Sequence, residues 1–331
     1  MRIVTFERPE PRDRPSGQSA LGAAALGFEA LEGVRHGAER IGAIVPEGPL
    51  AGATIDLNRA LAVQLAIADA GAPEAQADSL LPAETARFIQ RWPSAIEVAR
   101  ATLSFVTRAA DTYDAPNWEA AGVVVPADAV RQQAPVPRPT NILLAEGERS
   151  PFRLLPLAGS SLARGGDQTE LPPELVAAAT SALAVVVCRP THRVSAARAP
   201  EHIAGYCAAL AFGATSLRAE PLDASLGHSC DTFTVLGPWL VTRDEIPNPH
   251  EALVRTRCSG ELLDASRSKR DPSVCGELLA QASELITLMP GDLLLLPIAG
   301  HQTRSLRDGD LLELDIEGLG RVVRYVRSRI D

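Results

Sequence analysis

Apolar and polar positions along the chain fall into two regimes. In the first third, apolar residues recur every three to four positions over 59–70, 82–91 and 95–110, which predicts helices. Asn58 stands where the N-cap of the first would be. Short apolar runs at 2–7, 41–45 and 53–57 predict strands. The Pro/Arg-rich stretch 8–15 reads as a loop. The Ala/Gly/Leu-rich stretch 18–40 allows a helix weakened by Gly22, Gly27 and Gly33. Beyond residue 135 the pattern becomes strand-like. The unbroken apolar run 182–188 predicts a strand buried on both faces. Further strands are expected at 232–241, 253–257 and 292–296. A closing hairpin is expected at 311–316 and 321–326, split by Glu317-Gly318-Leu319-Gly320. Helices are expected at 197–210 and 274–287. The proline-dense stretch 134–139 lacks the amide donors of a helix or central strand. It marks the boundary between a small domain, 1–134, and a larger one, 135–331.

Composition narrows the function classes. The 331 residues are 46% apolar and 22% charged, enough for a substantial core. Thirty-two basic against 41 acidic residues give a formal net charge of −9. That balance argues against a concentrated nucleic-acid-binding face and against a polybasic membrane anchor. No apolar run reaches transmembrane length, and the first residues are too soon charged for a signal peptide, so a cytoplasmic location is expected. The five cysteines, Cys188, Cys207, Cys230, Cys258 and Cys275, form no C-x-x-C pair. They read as reduced thiols rather than a disulfide frame or zinc knuckle.

Several ordered segments carry a resemblance. Asp231-Thr232-Phe233-Thr234-Val235-Leu236-Gly237-Pro238-Trp239 closely resembles the "DTFTPLGPW" segment of the fumarylacetoacetate hydrolase superfamily. Ser259-Gly260-Glu261 resembles its "NGE" turn, and Thr287-Leu288-Met289-Pro290-Gly291-Asp292 its "TLxPGD". Ile55-Asp56-Leu57-Asn58 and Pro135-Val136-Pro137-Arg138-Pro139 resemble its N-terminal domain and domain entry. The resemblance implies an α+β, predominantly β chain. Its C-terminal domain would be a mixed β-roll and its N-terminal domain a small α+β unit. It also implies a homodimer acting on small 2-oxo acids.

The family binds Mg²⁺ or Mn²⁺ through carboxylates, because a hard cation takes several oxygen ligands and then polarises the oxo acid. The matching positions depart from that pattern. The E-x-E before the "LAVVIG" strand is Thr180 and Ala182, and the aspartate of "GYxxxND" is Ala211. The lysine before "SFD" is His228, and the threonine of "TGTP" is lost after Leu296-Pro297. No histidine lies between His36 and His192, so the "NYxxHxxE" dyad is missing as well. The resemblance therefore implies a member with no metal at that site and no cofactor. Glu146, Glu148 and Glu170 are the nearest carboxylates that could rebuild one.

The remaining candidates for catalysis are His228, Cys230, Tyr206 and His301. In an extended segment His228 and Cys230 would face the same way, as a base and nucleophile can; Cys230 as a core residue is the plainer reading. His301 is a candidate general base or an ordinary loop histidine. Thr180, Arg189 and Arg218 are the candidates for holding an anionic substrate. Two functions remain open. One is a diverged, metal-independent enzyme acting on a small oxo-acid or polyketide-like molecule by lyase, hydrolase, isomerase or cyclase chemistry. The other is a non-catalytic homologue that binds a small molecule or partners an active paralogue in a hetero-oligomer.

Overall fold

The computed structural model describes residues 1–8, 39–110, 118–119, 121–125, 130–147, 150–166, 168–172, 174–217, 220–268, 270–298 and 304–328. The chain divides into two compact units, Met1–Gln133 and Ala134–Asp331.

In the first unit, β1 (Arg2–Glu7), β2 (Glu39–Ile44) and β3 (Thr54–Asp56) precede four helices: α1 (Leu57–Ile67), α2 (Pro73–Leu80), α3 (Thr85–Gln90) and α4 (Trp92–Ala109). Two short strands follow, β4 (Val124–Val125) and β5 (Arg131–Gln132). The sheet runs β4-β3-β2-β1, all antiparallel, and β5 adds to β1. Ile55, Ala60, Val63, Val106 and Trp118 form its core against α1 and α4. The helix expected within 18–40 falls on residues that, up to 38, lie outside the described ones. The N-cap of α1 is Asp56, whose carboxylate accepts from the Arg59 amide at 3.0 Å. Asn58 instead turns inward, and its amide donates to Asp78 and to the Leu81 carbonyl, both at 2.9 Å. Asp56 is wholly buried beneath the guanidinium groups of Arg40 and Arg8. Burial alone would raise its carboxyl, but Arg40 and then Arg8 hold it below the usual carboxylate range.

The second unit is two packed sheets. The first holds β6 (Ile142–Glu146), β7 (Arg153–Leu157), β9 (Leu175–Val187), β10 (Ile203–Leu217), β12 (Thr234–Thr242) and β15 (Leu293–Pro297), in the order β12-β10-β9-β15-β6-β7, with β11 (Glu220–Pro221) on β10. It is mixed, because β15 pairs parallel with β6 and antiparallel with β9. The second sheet runs β14-β13-β16-β17-β8. Its members are β8 (Gln168–Leu171), β13 (Leu253–Cys258), β14 (Glu261–Arg267), β16 (Leu311–Ile316) and β17 (Gly320–Ser328). Leu183, Val185, Phe212 and Val235 of the first sheet share one core with Val254, Leu314, Ile316 and Val322 of the second. Helix α6 (Val274–Leu285) adds Leu278 and Leu279 to that core. A short helix, α5 (Ala224–His228), joins β11 to β12. Among the described residues, no helix is long and apolar enough to cross a membrane.

One expected element is corrected. Residues 197–210 are not a helix: a single tight turn at Ala199–His202 leads into the 15-residue strand β10. Alanine favours a helix only when packing does not decide. Here every residue from Ile203 to Phe212 is buried between β9 and β12, and neighbouring strands supply the hydrogen bonds.

Candidate active site

The site is built from β9 and β10, which pair antiparallel along nearly their whole length. Side chains alternate across a strand, and the two faces differ in kind. One face carries Leu183, Val185, Leu210 and Phe212 into the core between the sheets. Ser181 lies on that side too, and its hydroxyl meets Thr256 of β13 at 2.7 Å, tying the sheets together. The opposite face carries small residues: Ala178, Thr180, Ala182 and Ala184 on β9, and Cys207, Ala209, Ala211 and Gly213 on β10.

The register brings the substituted positions together. Thr180 lies directly opposite Ala211, and Ala182 opposite Ala209, two residues along the same face. Two positions on β9 and one about thirty residues later on β10 therefore form one patch, whose only polar group is the Thr180 hydroxyl. Ala182 and Ala211 are sealed from solvent, while Thr180 and Ala178 are half-buried, so the patch opens toward the Thr180 end.

His228 stands at that open end. A Cβ built on Gly213 would come within 2.3 Å of its Cε1, so the imidazole occupies the space that a glycine leaves free on the small-residue face. Gly213 pairs with Ala178, next along the face from Thr180; diagonal neighbours on a sheet lie roughly 7–8 Å apart. The ring is held by its Nδ1, 2.7 Å from the Phe212 carbonyl. A carbonyl only accepts, so Nδ1 carries the hydrogen and Nε2 of the neutral ring keeps its lone pair. Helix α5 is fixed at both ends. Asp223 caps it, accepting from the Ser225 and Leu226 amides, and the Ser229 hydroxyl takes the Ala158 amide at 3.0 Å.

The other candidates fall elsewhere. His228 ends a helix and Cys230 lies in the turn after it, so the extended segment that would align them does not exist. Cys230 packs against the core, and burial, with Asp231 beside it, raises its thiol, the wrong direction for a nucleophile. Tyr206 is opposite Val185 on the core face, away from the patch, and burial raises its phenol. Arg189 lies beyond the far end of β9, roughly 30 Å along the strand from Thr180 at about 3.3 Å per residue. His301 and Arg218 lie outside the described residues, as does Glu148. Glu146 pairs with Arg153 at 3.1 Å, and Glu170 is exposed on β8 in the other sheet. Among the described residues, no three His, Cys, Asp or Glu side chains gather where they could hold a metal ion.

The sequence gives no sign of two further features. One is Gly213 as the seat for His228; a glycine in a small-residue strand is the only hint. The other is a buried pair in which Cys275 Sγ lies 3.4 Å from His250 Nε2. Nδ1 of the same ring is 3.3 Å from the Ser268 hydroxyl. Burial pushes the thiol up to about 12 and the imidazole down to about 4, so both are neutral and share one hydrogen between Sγ and Nε2.

Residues 151–327, more than half of the chain, match the family model described as fumarylacetoacetate (FAA) hydrolase C-terminal. The chain belongs to the fumarylacetoacetate hydrolase family. A human protein named mitochondrial oxaloacetate tautomerase FAHD2B is 29% identical over 267 residues, 75% of this chain and 81% of its own length. A maleylpyruvate hydrolase from Aquipseudomonas alcaligenes is 32% identical over 148 residues, 44% of this chain and 49% of its own. Among solved structures, a 5-carboxymethyl-2-hydroxymuconate delta-isomerase from Mycobacterium smegmatis superposes with a TM-score of 0.55 at 26% identity. The match covers 63% of this chain and 84% of that one. The divalent metal that fumarylacetoacetate hydrolase membership implies does not fit here. The patch where its carboxylates would stand holds Thr180, Ala182 and Ala211, and methyl groups give a hard cation no ligand.

Proposed function

We propose that the chain is an enzyme that moves a proton at the carbon next to the carbonyl of a small 2-oxo acid, without a divalent metal at the Thr180–Ala182–Ala211 patch. The observation that carries this reading is His228: an oriented imidazole with Nε2 free, half-buried, set beside that patch. In the proposed reaction Nε2 takes the proton from the α-carbon, and the electron pair moves onto the carbonyl oxygen. The Thr180 hydroxyl donates a hydrogen bond to the developing oxyanion. Return of the proton to that oxygen completes a keto–enol exchange, with no other reactant consumed. The names of the tautomerase and isomerase relatives are of this reaction type.

The test follows the enol of oxaloacetate by ultraviolet absorbance with protein stripped by a chelator. The expected result is a rate unaffected by stripping and about 10²–10⁴-fold lower in His228→Gln, the range of general acid–base catalysis. A rate abolished by the chelator and restored by Mn²⁺ would sink the metal-free reading.

A second reading, a non-catalytic binding homologue, is supported by the wholesale replacement of polar groups: Ala182, Ala184, Ala209 and Ala211 are all sealed methyl groups. It predicts no turnover of oxaloacetate, maleylpyruvate or related oxo acids by the wild-type protein. Under either reading we propose a homodimer, to be checked by light scattering of the purified chain.

A further inference from the structure

The end of β9 remote from Thr180 gathers positive charge that the preceding reading does not use. Arg189 follows directly after Cys188, and backbone bonds lace this corner together. The Cys188 amide donates to the His202 carbonyl at 2.9 Å, and the Arg243 amide to the Ala204 carbonyl at 3.1 Å. The ends of β9 and β12 and the start of β10 thereby bring Arg189, His202 and Arg243 to one edge. Arg189 is half-buried beside the Cys188 thiol, and its buried Nε has no partner that meets hydrogen-bond geometry among the described residues. Among the described residues neither Arg189 nor Arg243 pairs with a carboxylate; Glu201, the nearest acid to His202, is 3.8 Å from Arg198. A half-buried guanidinium with no carboxylate beside it is the kind of group that an anion satisfies.

The imidazole beside them is also set in orientation. The Thr191 hydroxyl donates to the Arg189 carbonyl at 2.8 Å, and its oxygen lies 2.8 Å from His202 Nδ1. With its hydrogen committed, Thr191 accepts from Nδ1–H, and His202 Nε2 points away from that contact. His202 is half-buried and Arg243 exposed, so solvent reaches the corner. Burial and then Arg189 and Arg198 hold the His202 imidazole below its ordinary value, against Glu201; an anion here would offset both arginines.

We propose that Arg189, Arg243 and His202 form a binding site for a small doubly charged oxyanion of the phosphate type. Guanidinium groups suit it because their forked N–H groups match adjacent oxyanion oxygens. The site is separate from the Thr180 patch and stands whether or not the chain is a catalyst.

The experiment follows the six histidine Cε1–H resonances by NMR. His202 is assigned by its loss in His202→Gln, and inorganic phosphate is titrated against sodium chloride of equal ionic strength. The expected result is a saturable shift of the His202 resonance with phosphate. Arg189→Gln abolishes it, Arg243→Gln weakens it several-fold, and Arg189→Lys retains it in part. A parallel titration with malonate separates a phosphate-type from a dicarboxylate ligand; an Arg189-dependent shift with malonate alone would overturn the assignment to phosphate. No saturable shift with phosphate, or one equal in Arg189→Gln checked as folded by circular dichroism, would overturn the site.

Discussion

His250 should make the protein acid-sensitive in a defined window. The ring is wholly buried, meets the Cys275 thiol through Nε2 and faces Ser268 through Nδ1. Burial and then the Arg270 charge hold its pKa down to about 4 from the ordinary 6.5. The folded state therefore keeps His250 neutral between these values, while the unfolded chain takes up a proton. Because the unfolded state binds more protons, stability falls as pH falls through the window. At roughly 1.4 kcal/mol per pH unit the full effect is about 3 kcal/mol by pH 4. Above pH 7 the group contributes no slope. Urea unfolding midpoints would be measured from pH 7.5 to 4 for wild type and for His250→Gln. The variant should be less stable at neutral pH, because Cys275 and Ser268 lose a partner, but flatter toward acid. The quantity that matters is the difference between the two curves. His202, also depressed, adds a slope of the same sign to both, and Asp56 begins to matter as pH falls toward the ordinary carboxyl value of 3.8, its loss completing only at the lowered folded value. Parallel curves between pH 6.5 and 4 would refute the argument, showing that the His250 proton is not excluded by the fold.

Three further outcomes follow from packing and charge. Gly213→Ala should drive the His228 ring from its seat, since the new Cβ would lie 2.3 Å from Cε1; loss of the bond to Phe212 costs about 1 kcal/mol, read by chemical denaturation. In the oxaloacetate assay it should resemble His228→Gln; wild-type rates in Gly213→Ala would remove His228 from the mechanism. Gly205→Ala should be far worse, because its Cβ would fall 2.0 Å from the Val241 carbonyl oxygen, and backbone cannot yield as a ring can. Soluble expression and a thermal melt near that of wild type would contradict it. Asp56→Asn removes the carboxylate that directly pairs buried Arg40 and Arg8, leaving Arg40 only the more distant Asp78 and Glu74, at a cost of about 3–5 kcal/mol. A fall in denaturation midpoint equivalent to less than about 1 kcal/mol would show that the arginines re-pair or reach water.

The parts of this fold visible in the residue pattern were those set by local rules. Helix α4 shows 3.6-residue spacing, β16 alternates half-buried and buried residues, and β17 alternates exposed and buried ones. A helix is expected over 197–210 because Ala204, Ala208 and Ala209 of β10 give that span the composition of one. Only the neighbouring strands decide the matter. The N-cap of α1 was displaced by two residues because both Asp56 and Asn58 can cap, and Asn58 is drawn inward by Asp78 and Leu81. The three substituted positions were legible through their motifs, and the register supplied their adjacency. The setting of His228 was not legible, since it depends on an Asp223-capped turn of helix and on a glycine 15 positions upstream. The His250–Cys275 pair spans 25 positions with no periodic signal.

The mixed pairing of β15 has a consequence for synthesis on the ribosome. This strand lies between β9 and β6, and Asp292 at its entrance accepts hydrogen bonds from Asn141, 151 positions earlier. Until β15 emerges, β6 and β9 each present an open edge of unpaired amides and carbonyls, the kind of edge along which chains aggregate. The second sheet waits as well, because β8 pairs with β17, Gln168 lying opposite Tyr325 far along the chain. Such long loops close slowly, so the nascent chain must carry two unfinished sheets until β15 and β17 are made. Strands β15 and β17 act as the closing pieces of the two layers, and a chain stopped short of them would leave each sheet with a raw edge.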